Sequence, residues 1–258
     1  MAIRNFVDTI GMSKADSVVD YAVLEHCVRD VLGDTAPRAM AVLDPLKVVL
    51  TNWPEGETKT VTLENHPDHP EMGERTLVFG RELWIDREDF MEVPMKKYQR
   101  MFPGNEVRLK GAYIVRCDDC VKDKDGNVTE VRCTVDLDSF SGSAGADRKI
   151  KGKTLHWVPA DDCIPFEARL YDPLLNDNLD DEEAEANKKD FISRLNPESL
   201  KVCRGYAEKI IAGAETGASF QFLRTGYFCK DPDSAEDLPV YNRTVGLRDT
   251  FAKQTQQV

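Results

Sequence analysis

The apolar pattern of this chain changes period once, across residues 33–38, and that change limits what it can fold into. Before it, Val18, Ala22, Val23, Cys27, Val28, Val31 and Leu32 recur at helical spacing behind Ser17 and Asp20, which resemble a capping box. The spacing predicts a helix over residues 17–32, stopped at Gly33 with Pro37 beyond it. A shorter helix is expected over 3–10, leaving 11–16 as a turn. After Arg38 the apolar residues come in short β-type runs between turn residues, at 47–52, 58–63, 75–78 and 82–85. A second block runs through 107–115 and 130–135 about a turn at Asp125-Gly126-Asn127, then 151–158 and 166–170. A third holds 200–207, 219–223, 227–230 and 240–247. These blocks predict a mainly β protein, of barrel or sandwich type, behind a helical start. Arg38 sits at the helix-to-strand corner, where a fixed guanidinium is suited to reading a ligand.

Three further segments stand outside this pattern. Residues 142–145 read as a flexible excursion, 182–195 as a short helix after an acidic connector at 176–185, and 253–258 as a frayed tail. No run approaches the roughly 18 apolar residues of a membrane span, and residues 1–14 lack the apolar core of a secretory signal, so a cytoplasmic protein without a membrane partner is expected. Seven scattered cysteines read as reduced thiols. Cys117 and Cys120 lie three apart in strand-like sequence, which places them on opposite faces and argues against a metal pair. In the polar loop Asn65-His-Pro-Asp-His-Pro70, the prolines and absent cysteines favour a structural or RNA-backbone role over a metal.

The net charge of −12 argues against a general nucleic-acid binder, and no DNA partner is expected. Its distribution is uneven, however. Lys96, Lys97, Arg100, Arg108, Lys110, Arg116, Lys149, Lys151 and Lys153 make the middle third locally basic. Glycine-rich phosphate loops, HExxH and GxSxG motifs are absent from the sequence, so no catalytic residue is assigned. Gln221, between Phe220 and Phe222, can donate and accept along an unpaired base, as the arginines can fork onto one. Splayed single-stranded RNA suits such a set.

An ordered series of islands then resembles the C-terminal part of the glutaminyl-tRNA synthetases. It comprises Leu24-Glu-His-Cys-Val-Arg29, Ala36-Pro-Arg-Ala-Met-Ala-Val-Leu-Asp-Pro45, Asn65-His-Pro with Glu71-Met-Gly73, Lys151-Gly-Lys-Thr-Leu-His-Trp-Val158 and Asn242-Arg-Thr-Val-Gly-Leu-Arg-Asp249. Ala168-Arg-Leu-Tyr-Asp172, Phe220-Gln-Phe and Gly226-Tyr-Phe-Cys229 fall in the same order. The resemblance implies a helical connector (1–33) followed by two interleaved barrels related to the ribosomal L25 fold. The proximal barrel would hold 34–93 plus 176–252, and the distal one 94–175. It implies a partner, glutamine tRNA, and a catalytic domain of the same chain that carries the ATP site, so no cofactor is expected in this stretch and no ligation by it alone. Met12-Ser-Lys14 would then be only a chance likeness to a lysine loop.

Residue by residue, the resemblance gives Arg38 and Gln221 the middle anticodon uridine, Arg100 the third base, and Arg108 the first base with its phosphate. It places Lys14 near the tRNA backbone, where Lys110 is also expected to act. Lys97, Gln99, Gly33 and Asp68 depart from the family pattern. A free-standing L25-like RNA-binding protein, the matching region of a glutamyl-tRNA synthetase and a protein-interaction module are the alternatives. The helix before Arg38 speaks against the first, and Arg100, Arg108 and Gln221 together speak against the second.

Overall fold

The computed structural model describes residues 1–11, 14, 18–175, 192 and 195–248. The capping role of Ser17, the acidic connector, most of the expected helix over 182–195 and the tail at 253–258 lie outside them. Two helices open the chain, α1 (Ala2–Ile10) and α2 (Tyr21–Thr35). Asp20 caps α2, its carboxylate accepting from the Ala22 N–H at 2.8 Å, so the helix begins later than its apolar spacing suggests, and Val18 is fully exposed. Gly33 does not stop it. The helix runs on to Thr35, whose hydroxyl donates back to the Val31 carbonyl, and ends where Pro37 holds Ala36 extended.

The remainder is mainly β. In chain order it runs through β1 (Arg38–Ala39), β2 (Ala41–Val42), β3 (Pro45–Leu50), β4 (Lys59–Glu64), β5 (Glu74–Phe79) and β6 (Glu82–Asp86). Then come β7 (Glu106–Leu109), β8 (Ile114–Lys122), β9 (Val128–Asp136), β10 (Thr154–Leu155), β11 (Val158–Pro159) and β12 (Cys163–Tyr171). The last four are β13 (Leu200–Glu208), β14 (Ser219–Phe222), β15 (Gly226–Lys230) and β16 (Val240–Gly246). One seven-stranded sheet has the order β1-β14-β15-β16-β12-β13-β2, and a second has β10-β7-β8-β9-β3-β6-β11. β4 and β5 form a separate hairpin. Sheet membership cuts across contiguous stretches: β3 and β6 join strands of the middle third, whereas β12 pairs with the late strands β13 and β16.

Two expected features change for local reasons. The run over 107–115 is two strands, because Gly111 takes a φ of +69° that bends the chain between β7 and β8. A Cβ there would also lie 2.3 Å from Leu63 Cδ2. Cys117 and Cys120 do not face opposite ways. A bulge between Cys117 and Asp119 adds a residue on β8, and both cysteines pack on the same core. Residues 142–145, read as an excursion, lead into a 3₁₀ turn at Ala144–Asp147.

The larger core lies between the second sheet and the β4–β5 hairpin. Trp53, Phe79, Tyr113 and Trp157 meet there, with ring centroids 5.0–5.5 Å apart. Burial of an aromatic such as Trp157, fully enclosed with its indole N–H donating to the Lys110 carbonyl, is worth about 3–5 kcal/mol against alanine. A second core, around Phe166, Phe222, Phe228 and Tyr241, backs the first sheet. Alternation along β14 sends Phe220 and Phe222 into it and leaves Gln221 half-buried on the other face.

Candidate nucleic-acid interface

The corner at Arg38 is built from the end of α2. A helix leaves its last carbonyls without partners, and here side chains supply them. Arg38 Nη2 donates to the Gly33 carbonyl and Nη1 to that of Ala36, each at 3.0 Å. His66, buried, accepts the Asp68 N–H at Nδ1, which leaves Nε2 to donate to the Gly33 carbonyl at 2.8 Å. Burial pulls the Arg38 guanidinium down, opposed by Tyr227 and by Asp68, a charge set beside it. The backbone then joins Arg38 to the far end of the chain: β1 lies parallel to β14 with Arg38 opposite Gln221, and the Gln221 N–H donates to the Pro37 carbonyl. Residues about 180 apart in sequence thus become neighbours in register. The Gln221 amide makes no hydrogen bond among the described residues.

Arg38 opens onto a groove of about 510 Å³ that also holds Arg108 and Lys110. Its lining carries Arg38, Arg75, Arg108 and Lys110 against Glu64 and Glu74. Arg75 is buried and bonded to Glu208, whose carboxylate also accepts from the Met40 N–H, so it braces the wall. Arg108 is held by carbonyls, those of Ala146 and, at 3.4 Å, Arg148. Lys110, exposed at the Gly111 turn, has no ion pair among the described residues.

A second groove, about 890 Å³, contains Arg100 with Lys97, Tyr98, Gln99, Lys153 and Arg224. Thr154 lines both grooves and lies opposite Arg108 in register, so the two abut. Arg100 Nη1 donates to Glu88 Oε1 at 2.8 Å and lies 3.1 Å from Asp89 Oδ1. Asp89 is fully buried and accepts a bidentate pair from Arg224, at 2.6 and 2.7 Å. Burial pulls the Arg224 guanidinium down, but Asp89 more than restores it. Arg224 Nη1 also lies 3.3 Å from His156 Nδ1, and His156 Nε2 lies 2.9 Å from Asp86. Burial pushes the Asp86 carboxyl up; His156 and the Asp44 and Leu43 N–H groups outweigh that and hold it below its usual range. Tyr98, its hydroxyl donating to the Glu88 carbonyl, is pushed up to about 12, chiefly by burial.

The structure therefore brings Arg38, Gln221, Arg108 and Lys110 together and sets Arg100 next door. Lys14 is exposed and lines neither groove. Of the basic set in the middle third, Arg116 is paired with Asp118. Arg224 and Asp89 escape sequence reasoning, which sees Lys153 only as one of the basic set. Only the short Leu223-Arg-Thr turn after Phe220-Gln-Phe hinted that Arg224 borders a site. In the histidine loop, His69 bridges Asp34 of α2 and Glu71 at 2.9 and 2.8 Å, and Asp34 and then Glu71 hold its pKa above the usual value. Among the described residues no helix is long and apolar enough to cross a membrane.

Two family models of the anticodon-binding domain of class I (E and Q) tRNA synthetases match, over residues 36–136 and 154–231. The chain is 49% identical over 251 residues to a glutamine--tRNA ligase of Clostridium perfringens, covering 97% of this chain and 45% of that protein. It is 47% identical over 257 residues to one from Vibrio campbellii, covering 99% and 45%, and 50% identical over 253 residues to one from Xanthomonas axonopodis pv. citri, covering 98% and 43%. The chain thus spans under half the length of these relatives.

Proposed function

This chain belongs to the anticodon-binding domain family of the class I (E and Q) tRNA synthetases, and from that premise we propose that it reads the anticodon loop of glutamine tRNA. Arg38 and Gln221 act together on the middle base, Arg100 on the third, and Arg108 on the first base and its phosphate. Lys110 and Lys14 hold the backbone. The observation that carries this reading is the register of β1 with β14, which sets half-buried Gln221 beside Arg38, itself part of the lining of a cationic groove. A guanidinium already fixed by two carbonyls loses little freedom on meeting a base, and a base that fails to pair leaves Gln221 unsatisfied. Each such mismatch is expected to cost about 1–3 kcal/mol.

Ligation of glutamine, with its ATP, belongs to the part of the relatives that this chain does not span, and a cytoplasmic location fits the same reading. In the longer protein, binding energy gathered at the loop would help to place the acceptor end. The test is electrophoretic titration of glutamine tRNA beside a transcript changed only at the middle anticodon base. Weaker binding of the changed transcript is expected, and equal affinity refutes the reading. Preference for glutamate tRNA would move the assignment to the E branch of the family.

A further inference from the structure

Asp89, fully buried behind the second groove, is among the described residues the carboxylate that faces both Arg100 and Arg224. Arg224 takes both of its oxygens at 2.6 and 2.7 Å, and Arg100 approaches Oδ1 at 3.1 Å. Its backbone is fixed as well, with the Asp89 carbonyl accepting from the Met101 N–H and the Met91 N–H donating to the Met101 carbonyl. Arg224 belongs to the other sheet system: it lies two residues past the end of β14 and three after Gln221, and carries a φ of +66° that a non-glycine residue holds only when its surroundings impose it. Lys97, among the described residues the other non-glycine with positive φ, lines the same groove. Glu88 differs from Asp89. Its side chain is 72% exposed, so it can swing off Arg100 into solvent.

We infer that Asp89 is a positioning residue: it aims Arg100 into the second groove and, through Arg224, couples that aim to the strand carrying Gln221, so that the third and middle bases are read as a linked pair. This rests on the anticodon-loop reading above. A carboxylate without water must keep its cations, so Asp89 holds Arg100 while an arriving base displaces Glu88. Two guanidiniums against one carboxylate leave one net positive charge at that moment. Any shift of β14 on engagement of the middle base moves Arg224, and with it the anchor of Arg100. Two sites coupled through a shared contact show non-additive energetics.

The experiment titrates the purified chain with glutamine tRNA transcripts, unchanged or altered at the third or the middle anticodon base. Asp89→Asn, which keeps the shape and removes the charge, should cut third-base discrimination about 10-fold while middle-base discrimination falls far less. Arg100→Ala and Gln221→Ala should be non-additive by about 5-fold in the wild-type protein and additive in the Asp89→Asn protein. A second readout needs no RNA: by NMR, rotation of the Arg100 guanidinium should be slow in the wild type and fast in Asp89→Asn. Should Asp89→Asn not fold, Arg224→Lys carries the same test, because a lysine cannot bridge both oxygens. Full third-base discrimination with unchanged coupling in the variant overturns the inference and leaves the anticodon reading standing. A wild-type chain that discriminates at no anticodon base overturns both.

Discussion

The two abutting grooves hold their arginines by opposite means. In the first, Arg38 and Arg108 donate to backbone carbonyls, of Gly33 and Ala36 and of Ala146 and Arg148. In the second, Arg100 and Arg224 donate to carboxylates, of Glu88 and Asp89, with one longer bond from Arg100 to the Glu88 carbonyl at 3.3 Å. A carbonyl orients a guanidinium and leaves its full charge in place. A carboxylate orients it equally well and cancels most of that charge. The first groove is thus suited to phosphate and to long-range attraction, the second to directional hydrogen bonds with neutral base edges. A chain with a net charge of −12 can meet RNA on these terms, because cations are gathered along the two abutting grooves.

The most damaging way to break this contrast is Gly111→Ala. The positive φ strains any side chain there and a Cβ would have to push Leu63 Cδ2 aside, so we expect about 1–3 kcal/mol of lost stability, read from the denaturant midpoint, and a displaced Lys110 turn at the first groove. Next in size, Arg38→Ala and Arg108→Ala should each weaken binding and flatten the dependence of log K on log salt by about 0.7, with discrimination lost at the middle and first bases respectively, whereas Arg100→Ala should change third-base preference and barely move the slope. Equal slopes for all three would erase the distinction between the grooves. A gain is expected from Glu88→Gln. Removing an exposed, displaceable competitor for Arg100 should tighten RNA about 2- to 5-fold and steepen the salt dependence, bringing the second groove closer to the first.

The smallest effect concerns the wall behind Arg38. Asp34 and Glu71 raise the His69 pKa above its usual 6.5 in the folded chain. The stability it contributes is therefore fully present below that value and lost as pH rises through the folded pKa. The difference in unfolding midpoint between wild type and His69→Ala should shrink from pH 5.5 to pH 8.5. An unchanged difference would detach the loop at 65–70 from the end of α2.

Much of the architecture could be read from punctuation. Turn residues bounded most of the longer strands to within a few positions, because alternating burial and turn chemistry are local, whereas β1 and β2 went unread and the run over 151–158 is the two short strands β10 and β11. The misreadings arose where a distant contact outweighed local preference. Gly33 looked like a stop, but its carbonyl is satisfied by Arg38 and His66, so the helix has no need of a left-handed residue there. Residues 107–115 looked continuous because nothing in sequence announces that Leu63 lies against Gly111. The bulge at Cys117 shifted the face of Cys120 in the same silent way. Composition and periodicity singled out Arg38 as a corner cation, and only family resemblance tied it to Gln221. Asp89 was illegible by either route: among neighbouring exposed acids, its burial is decided by Arg224, 135 residues later.

The two-residue parallel splice of β1 onto β14 also has a consequence in time. A growing chain that emerges at about 5–20 residues per second exposes Arg38 some 10–40 s before Gln221. During that interval α2, the β4–β5 hairpin and the strands of the second sheet can form, but Arg38 has no strand partner in β14. On the proposed reading, the early cations can attract RNA before the middle base can be told apart, and discrimination waits until Gln221 has been made.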